Sequence, residues 1–121
     1  MKRISAAILV VILSASLLNG CSKSTGGNNG GGFSVDCSLV TNKAFAADVN
    51  PIIQSVCNMS GCHAAGSTNG PGPITTYTEA FNARTRIRSA IASGIMPQGT
   101  TLSTAQKSSI ICWIDGGAPN N

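Results

Sequence analysis

With 121 residues the chain has room for one domain. Eight Lys and Arg against four Asp and Glu give a formal charge of +4, and aromatic residues make up 4%. Setting aside Lys2 and Arg3, which lie in a segment expected to be removed, six basic residues face four acidic ones, a net of +2; that charge, with so few rings for stacking, excludes nucleic acid as a partner.

Residues 1–20 read as an export signal. Met1-Lys2-Arg3 supplies the positive start, and residues 4–18 form an apolar run shorter than the ~20 residues a spanning helix needs. The run ends in Leu18-Asn19-Gly20-Cys21, which resembles a bacterial lipobox, with Asn19 standing where a small or aliphatic residue is usual. The resemblance implies cleavage before Cys21 and acylation of that residue, and several acyl chains anchor stably. The expectation is an exported protein held by lipid to a bacterial membrane, on the periplasmic face or at the outer membrane. The plainer alternative is a secretory signal followed by a coincidental cysteine. Residues 21–33, rich in Gly, Ser and Asn, predict a flexible linker, and residues 34–121 the folded domain. A domain this small is marginal on apolar burial alone and commonly needs a staple, a metal or a cofactor.

Three helical signals follow in chain order. Asn50-Pro51 predicts an N-cap with proline at the first helical position, and Ile52, Ile53 and Val56 form a stripe leading into Cys57. Thr76-Tyr77-Thr78-Glu79 fits a capping box; its helix is expected to break near Asn82, resume over residues 84–92 and stop at Gly94. Ser103-Thr104-Ala105-Gln106 is a second capping box, opening a helix with Ile110, Ile111 and Ile114 on its apolar side and Gly116-Gly117 at its end. The connections "GSTNGPGP" and "IMPQGTT" are loops, and no segment alternates as a strand. The expected fold class is a small all-α domain with long loops.

Five cysteines become four if Cys21 is lipidated: Cys37, Cys57, Cys62 and Cys112. Cys57-Asn58-Met59-Ser60-Gly61-Cys62-His63 admits three uses. A disulfide between Cys57 and Cys62 would close a tiny loop and constrain the unfolded chain little. Zinc would need further ligands, and His63 beside Cys62 reaches the same ion only with strain. Covalent haem accounts for a histidine directly after the second cysteine, although Cys-x-x-Cys-His has two spacer residues and this chain has four. Residues five apart on a helix point about 140° away from each other, so the loop must bulge, and Asn58, Ser60 and Gly61 tolerate a turn. A haem iron in an electron carrier commonly takes methionine opposite histidine. His63 is the single histidine, Met1 leaves with the signal and Met59 lies inside the attachment loop, so Met96 remains as the distal candidate.

Taken together, Cys57 to His63, "SGIMPQG" and "LSTAQKSSIICWIDGGAP" resemble small bacterial c-type cytochromes that carry Met-Pro before a final helix. The resemblance spans about residues 48–119. It implies a helical domain around one haem c, bound through Cys57 and Cys62 with His63 and Met96 as axial ligands, passing electrons between redox partner proteins. A four-residue spacer also occurs in some members of that family. Within the resemblance a loop carbonyl near Pro71 and Pro73 is expected to accept a hydrogen bond from the ligating imidazole.

Cys37 and Cys112 are expected to pair as a disulfide between the segment after the linker and the last helix; the alternative is two buried thiols. Trp113 is expected in the core, with its indole N–H offered as a donor to a haem propionate, and Phe45 and Phe81 are core by default. One of Arg84, Arg86 and Arg88 could reach a propionate, against the plainer reading of a solvated helix face. No catalytic dyad or triad is present, so no enzyme is expected. The competing functions are a haem sensor or peroxidase-like protein with an open distal position, and a binding module held by a disulfide or zinc.

Overall fold

The computed structural model describes residues 32–121. The expected export signal, Cys21 as the expected site of lipidation and most of the linker lie outside the described residues. The described chain is all-α, as expected, with no strand among its described residues. No helix among them is long and apolar enough to cross a membrane.

The first helical run begins earlier than Asn50-Pro51. A wide turn at Phe45–Val49 is followed without a break by Asn50–Ile52 and by a second wide turn at Ile53–Cys57, the wide turns being π-helical. Pro51 therefore lies inside the run rather than at its start. Proline has no N–H and crowds the carbonyl four residues back, and the preceding turn relieves this by bonding five residues back, Asn50 N–H to Phe45 O. The start is capped from two sources. Asp48 Oδ2 accepts from Ala44 N–H at 2.9 Å, and Asn121 accepts from Phe45 N–H through Oδ1 and from Ala46 N–H through its main-chain oxygen, at 2.9 and 2.7 Å.

The middle helix, Tyr77–Ser93, carries the expected capping box and stops at Gly94, whose φ of 76° is left-handed. It does not break at Asn82. That residue sits on the exposed face, where its weak helix propensity costs only tenths of a kcal/mol, while Ala80, Ala83, Ile87 and Ile91 bury the opposite face. Glu79 Oε2 accepts from Thr75 Oγ1, Thr75 N–H and Thr76 N–H at 2.8, 2.7 and 3.0 Å. These bonds, that to the Thr75 hydroxyl foremost, hold its carboxyl below the ordinary value of 4.5. A folded-state pKa below the unfolded one stabilises above the unfolded value and is lost as pH falls through the folded one. The destabilisation caused by Glu79→Gln is therefore expected to be greatest near neutrality and to shrink as the pH is lowered below 4.5. Thermal midpoints of both proteins across pH 7 to about 3 check this; a difference that stays constant would remove the linkage. Asp36, held low by the Ser38 hydroxyl, leaves both with a residual acid slope.

The last helix, Thr104–Asp115, also has its capping box, Ser103 with Gln106. Ile110 and Ile111 are buried as expected and Ile114 partly so, but Ser108 through Trp113 are all buried in sequence. The helix is enclosed rather than one-sided: the middle helix, the first run and residues 33–37 pack around it. Trp113 lies among Phe45 and Tyr77, with ring centroids 5.2 and 6.4 Å away. Its Nε1–H donates to Pro119 O at 2.9 Å, so the indole is not available to a propionate and the core reading holds. Phe33 N–H donates to Ala92 O at 2.7 Å and its ring packs on the core. Cys37 and Cys112 form the expected disulfide, joining positions 75 residues apart in sequence.

Candidate functional site

The first helical run delivers Cys57 and ends there. Asn58 leaves helical geometry, and the chain closes a loop in which Cys62 N–H donates to Met59 O at 2.9 Å and His63 N–H to Cys57 O at 3.1 Å. Gly61 sits at φ 80°, a conformation that a side chain would strain. The four-residue spacer thus forms the bulge expected of it, and His63 folds back onto the end of the helix. Cys57 and Cys62 are both free thiols, the first partly buried and the second exposed. Burial, and secondarily the neighbouring Cys62, push the Cys57 thiol up from its ordinary value.

His63 is buried, and its Nδ1 lies 2.8 Å from Gly72 O. A carbonyl only accepts, so Nδ1 carries the proton of this bond, and in the neutral ring the lone pair is on Nε2. Among the described residues Nε2 has no hydrogen-bond partner, yet no sealed-in side-chain nitrogen or oxygen lacks one. Nε2 therefore abuts open volume. His63 lines a cavity of about 570 Å³, within the usual ~300–1,000 Å³ range for small-molecule and cofactor sites. The bulged loop contributes Cys57, Cys62 and His63 to its wall, and the middle helix contributes Ile87, Ile91 and Arg86. The following loop contributes Met96, whose N–H is tethered to Ala90 O at 3.2 Å. Ile74 and Leu102 complete an apolar lining. The four residues singled out from the sequence, Cys57, Cys62, His63 and Met96, all line this one cavity. Met59, half-exposed, does not.

The three arginines separate by contact. Arg84 donates to Phe81 O and lies 3.9 Å over the Phe81 ring, and Arg88 holds Asp115 through two hydrogen bonds. Arg86 makes no side-chain hydrogen bond among the described residues and lines both the main cavity and a second of about 390 Å³ beside it. It is the one charged side chain on the wall of the main cavity. Nothing in the sequence distinguished it from its neighbours, since the choice depends on helix phase and on where Asp115 lies. Gly72, between Pro71 and Pro73, supplies the loop carbonyl expected there; which residue would do so was hidden, because a main-chain carbonyl has no side-chain signature.

Comparison with protein-family models, curated proteins and solved structures returns no match in any of the three.

The donor set can be tested against each chemistry on its own geometry. Among the described residues no three His, Cys, Asp or Glu side chains gather as a set able to hold a metal ion. A porphyrin brings its own four nitrogens and needs only axial donors. One imidazole lone pair, one thioether, two free thiols and an apolar cavity suit it.

Proposed function

We propose that this chain is a mono-haem c-type cytochrome, an electron-transfer protein anchored to a bacterial membrane through lipid on Cys21. One observation supports the reading: His63, its Nδ1 bonded to Gly72 O, lines a largely apolar cavity together with Met96 and the two free cysteines, Cys57 and Cys62. Cys57 and Cys62 would hold the porphyrin edge covalently. His63 would be the proximal ligand, its ring orientation set by Gly72 O, a contact that also raises ligand basicity. Met96 would be the distal ligand. When bound, haem c supplies a one-electron ferric/ferrous couple.

The protein's own part is to tune and shield. A thioether ligand and an apolar wall favour the reduced iron, so Met96, Ile87 and Ile91 act in the same direction. Arg86 is placed to meet a porphyrin carboxylate, with a guanidinium fork suited to it. The presence of Met96 on the cavity wall favours a closed, electron-carrying iron over an open sensor or peroxidase-like site.

The test is a pyridine haemochrome spectrum of denatured protein matured in a host able to attach haem c. The expected result is a c-type band that survives extraction with acidified organic solvent and disappears in Cys57→Ala/Cys62→Ala. A colourless wild type, or pigment lost to the solvent, would overturn the reading.

A further inference from the structure

The widened spacer raises a question of order: two extra residues between the thiols add freedom where covalent attachment needs both sulfurs held at a fixed separation. The structure contains a device that removes it. Asn69 Nδ2 donates to Gly61 O at 2.9 Å and to Cys62 O at 3.1 Å. Both partners are carbonyls, so the amide orientation is settled by chemistry. Ser67 Oγ donates to the same Cys62 carbonyl at 2.5 Å, and in turn accepts from Asn69 N–H at 3.2 Å. The main-chain oxygen of Asn69 accepts from Gly72 N–H, and Gly72 is the residue whose own carbonyl holds His63 Nδ1. One residue thus ties the backbone of the second cysteine with its side chain and the residue that supplies the imidazole acceptor with its backbone, and it also lines the cavity.

Resting on the haem reading above, we propose that Asn69, assisted by Ser67, is the positioning residue that makes the four-residue spacer competent for double attachment. At each cysteine the S–H bond breaks, sulfur bonds one carbon of a porphyrin vinyl group and the hydrogen passes to the other carbon, with no net oxidation. The second addition requires Cys62 to stay in register with Cys57 once the first link exists. Gly61, at left-handed φ and without a side chain, cannot hold that register itself, and the latch on its carbonyl does so from outside.

The experiment uses the full chain co-expressed with a haem c attachment apparatus. In Asn69→Ala the share of polypeptide with two thioether links, read from intact mass and the haemochrome band, is expected to fall about two- to tenfold, the weight of a hydrogen bond. Single-link protein, with one vinyl group retained and a band at longer wavelength, should appear in its place. Ser67→Ala should show a smaller fall in the same sense. A two-link share equal to wild type in both variants overturns the proposal. Amide exchange of the unloaded chain gives a readout independent of haem: Cys62 and His63 N–H should exchange about two- to tenfold faster in Asn69→Ala, with Thr104–Asp115 unchanged. Equal protection at Cys62 and His63 also overturns it. If Thr104–Asp115 loses protection as well, the variant has unfolded and Ser67→Ala carries both measurements. A colourless wild type sinks the haem reading, whereas failure of the latch is seen as a loaded wild type beside an equally loaded, equally protected variant.

Discussion

Replacing Met96 with alanine is expected to abolish the six-coordinate spectrum of the loaded protein while leaving its haem content unchanged. The two results separate because they depend on different bonds. On the haem reading, content would be set by thioether links at Cys57 and Cys62, which the substitution does not touch. On the haem reading the spectrum depends on the distal donor, and among the described residues no methionine or histidine besides Met96 and His63 lines the cavity. The vacated position should bind added imidazole or carbon monoxide, and the reduction potential should fall because a soft donor that favours ferrous iron has gone. Optical spectra of both oxidation states, with and without imidazole, measure this. A variant that keeps the wild-type spectrum would show that Met96 is not a ligand and would revive the open-site alternative.

Opening the Cys37–Cys112 disulfide is expected to cost about 3–5 kcal/mol of folding stability in the unloaded domain. The bond spans 75 positions, so its loss frees a long segment of the unfolded chain, and Cys112 is 1% exposed, in the last turn of the last helix. For a domain of this size such a loss lowers the thermal midpoint by roughly 15 °C or more. Circular dichroism melts of Cys37→Ala/Cys112→Ala against wild type give the number. Cys57→Ala/Cys62→Ala serves as the control, since those thiols are free and their removal should move the unloaded midpoint little. Equal midpoints for the disulfide variant and wild type would mean that packing of the last helix alone holds the N-terminal segment.

Where the determinants of structure are local, they can be read from the sequence. Both capping boxes, Thr76 with Glu79 and Ser103 with Gln106, lie within four residues of chain and formed as expected. The start of the first helical run did not, because its caps are Asp48, reaching backwards, and Asn121, far away in sequence. The encircled last helix was hidden for a related reason: Ser108 and Ser109 look like a solvated face, and only the packing of other segments buries them. At the candidate site, Cys57, Cys62 and His63 announce themselves by adjacency, and Met96 by elimination. Asn69, Gly72 and Arg86 do not. Their roles rest on main-chain oxygens and on which arginine has lost its partner, and neither leaves a pattern of residue types.

The tie between Asn121 and the start of the thiol-bearing run has a consequence in time. A polypeptide threaded outward from its beginning exposes Phe45 and Ala46 long before their acceptors exist, since Asn121 follows Phe45 by 76 positions. Contacts of such long reach form late, because closing the intervening loop is entropically costly. The turn at Phe45–Val49, which opens the thiol-bearing run, is therefore expected to be completed only once Asn121 has joined it.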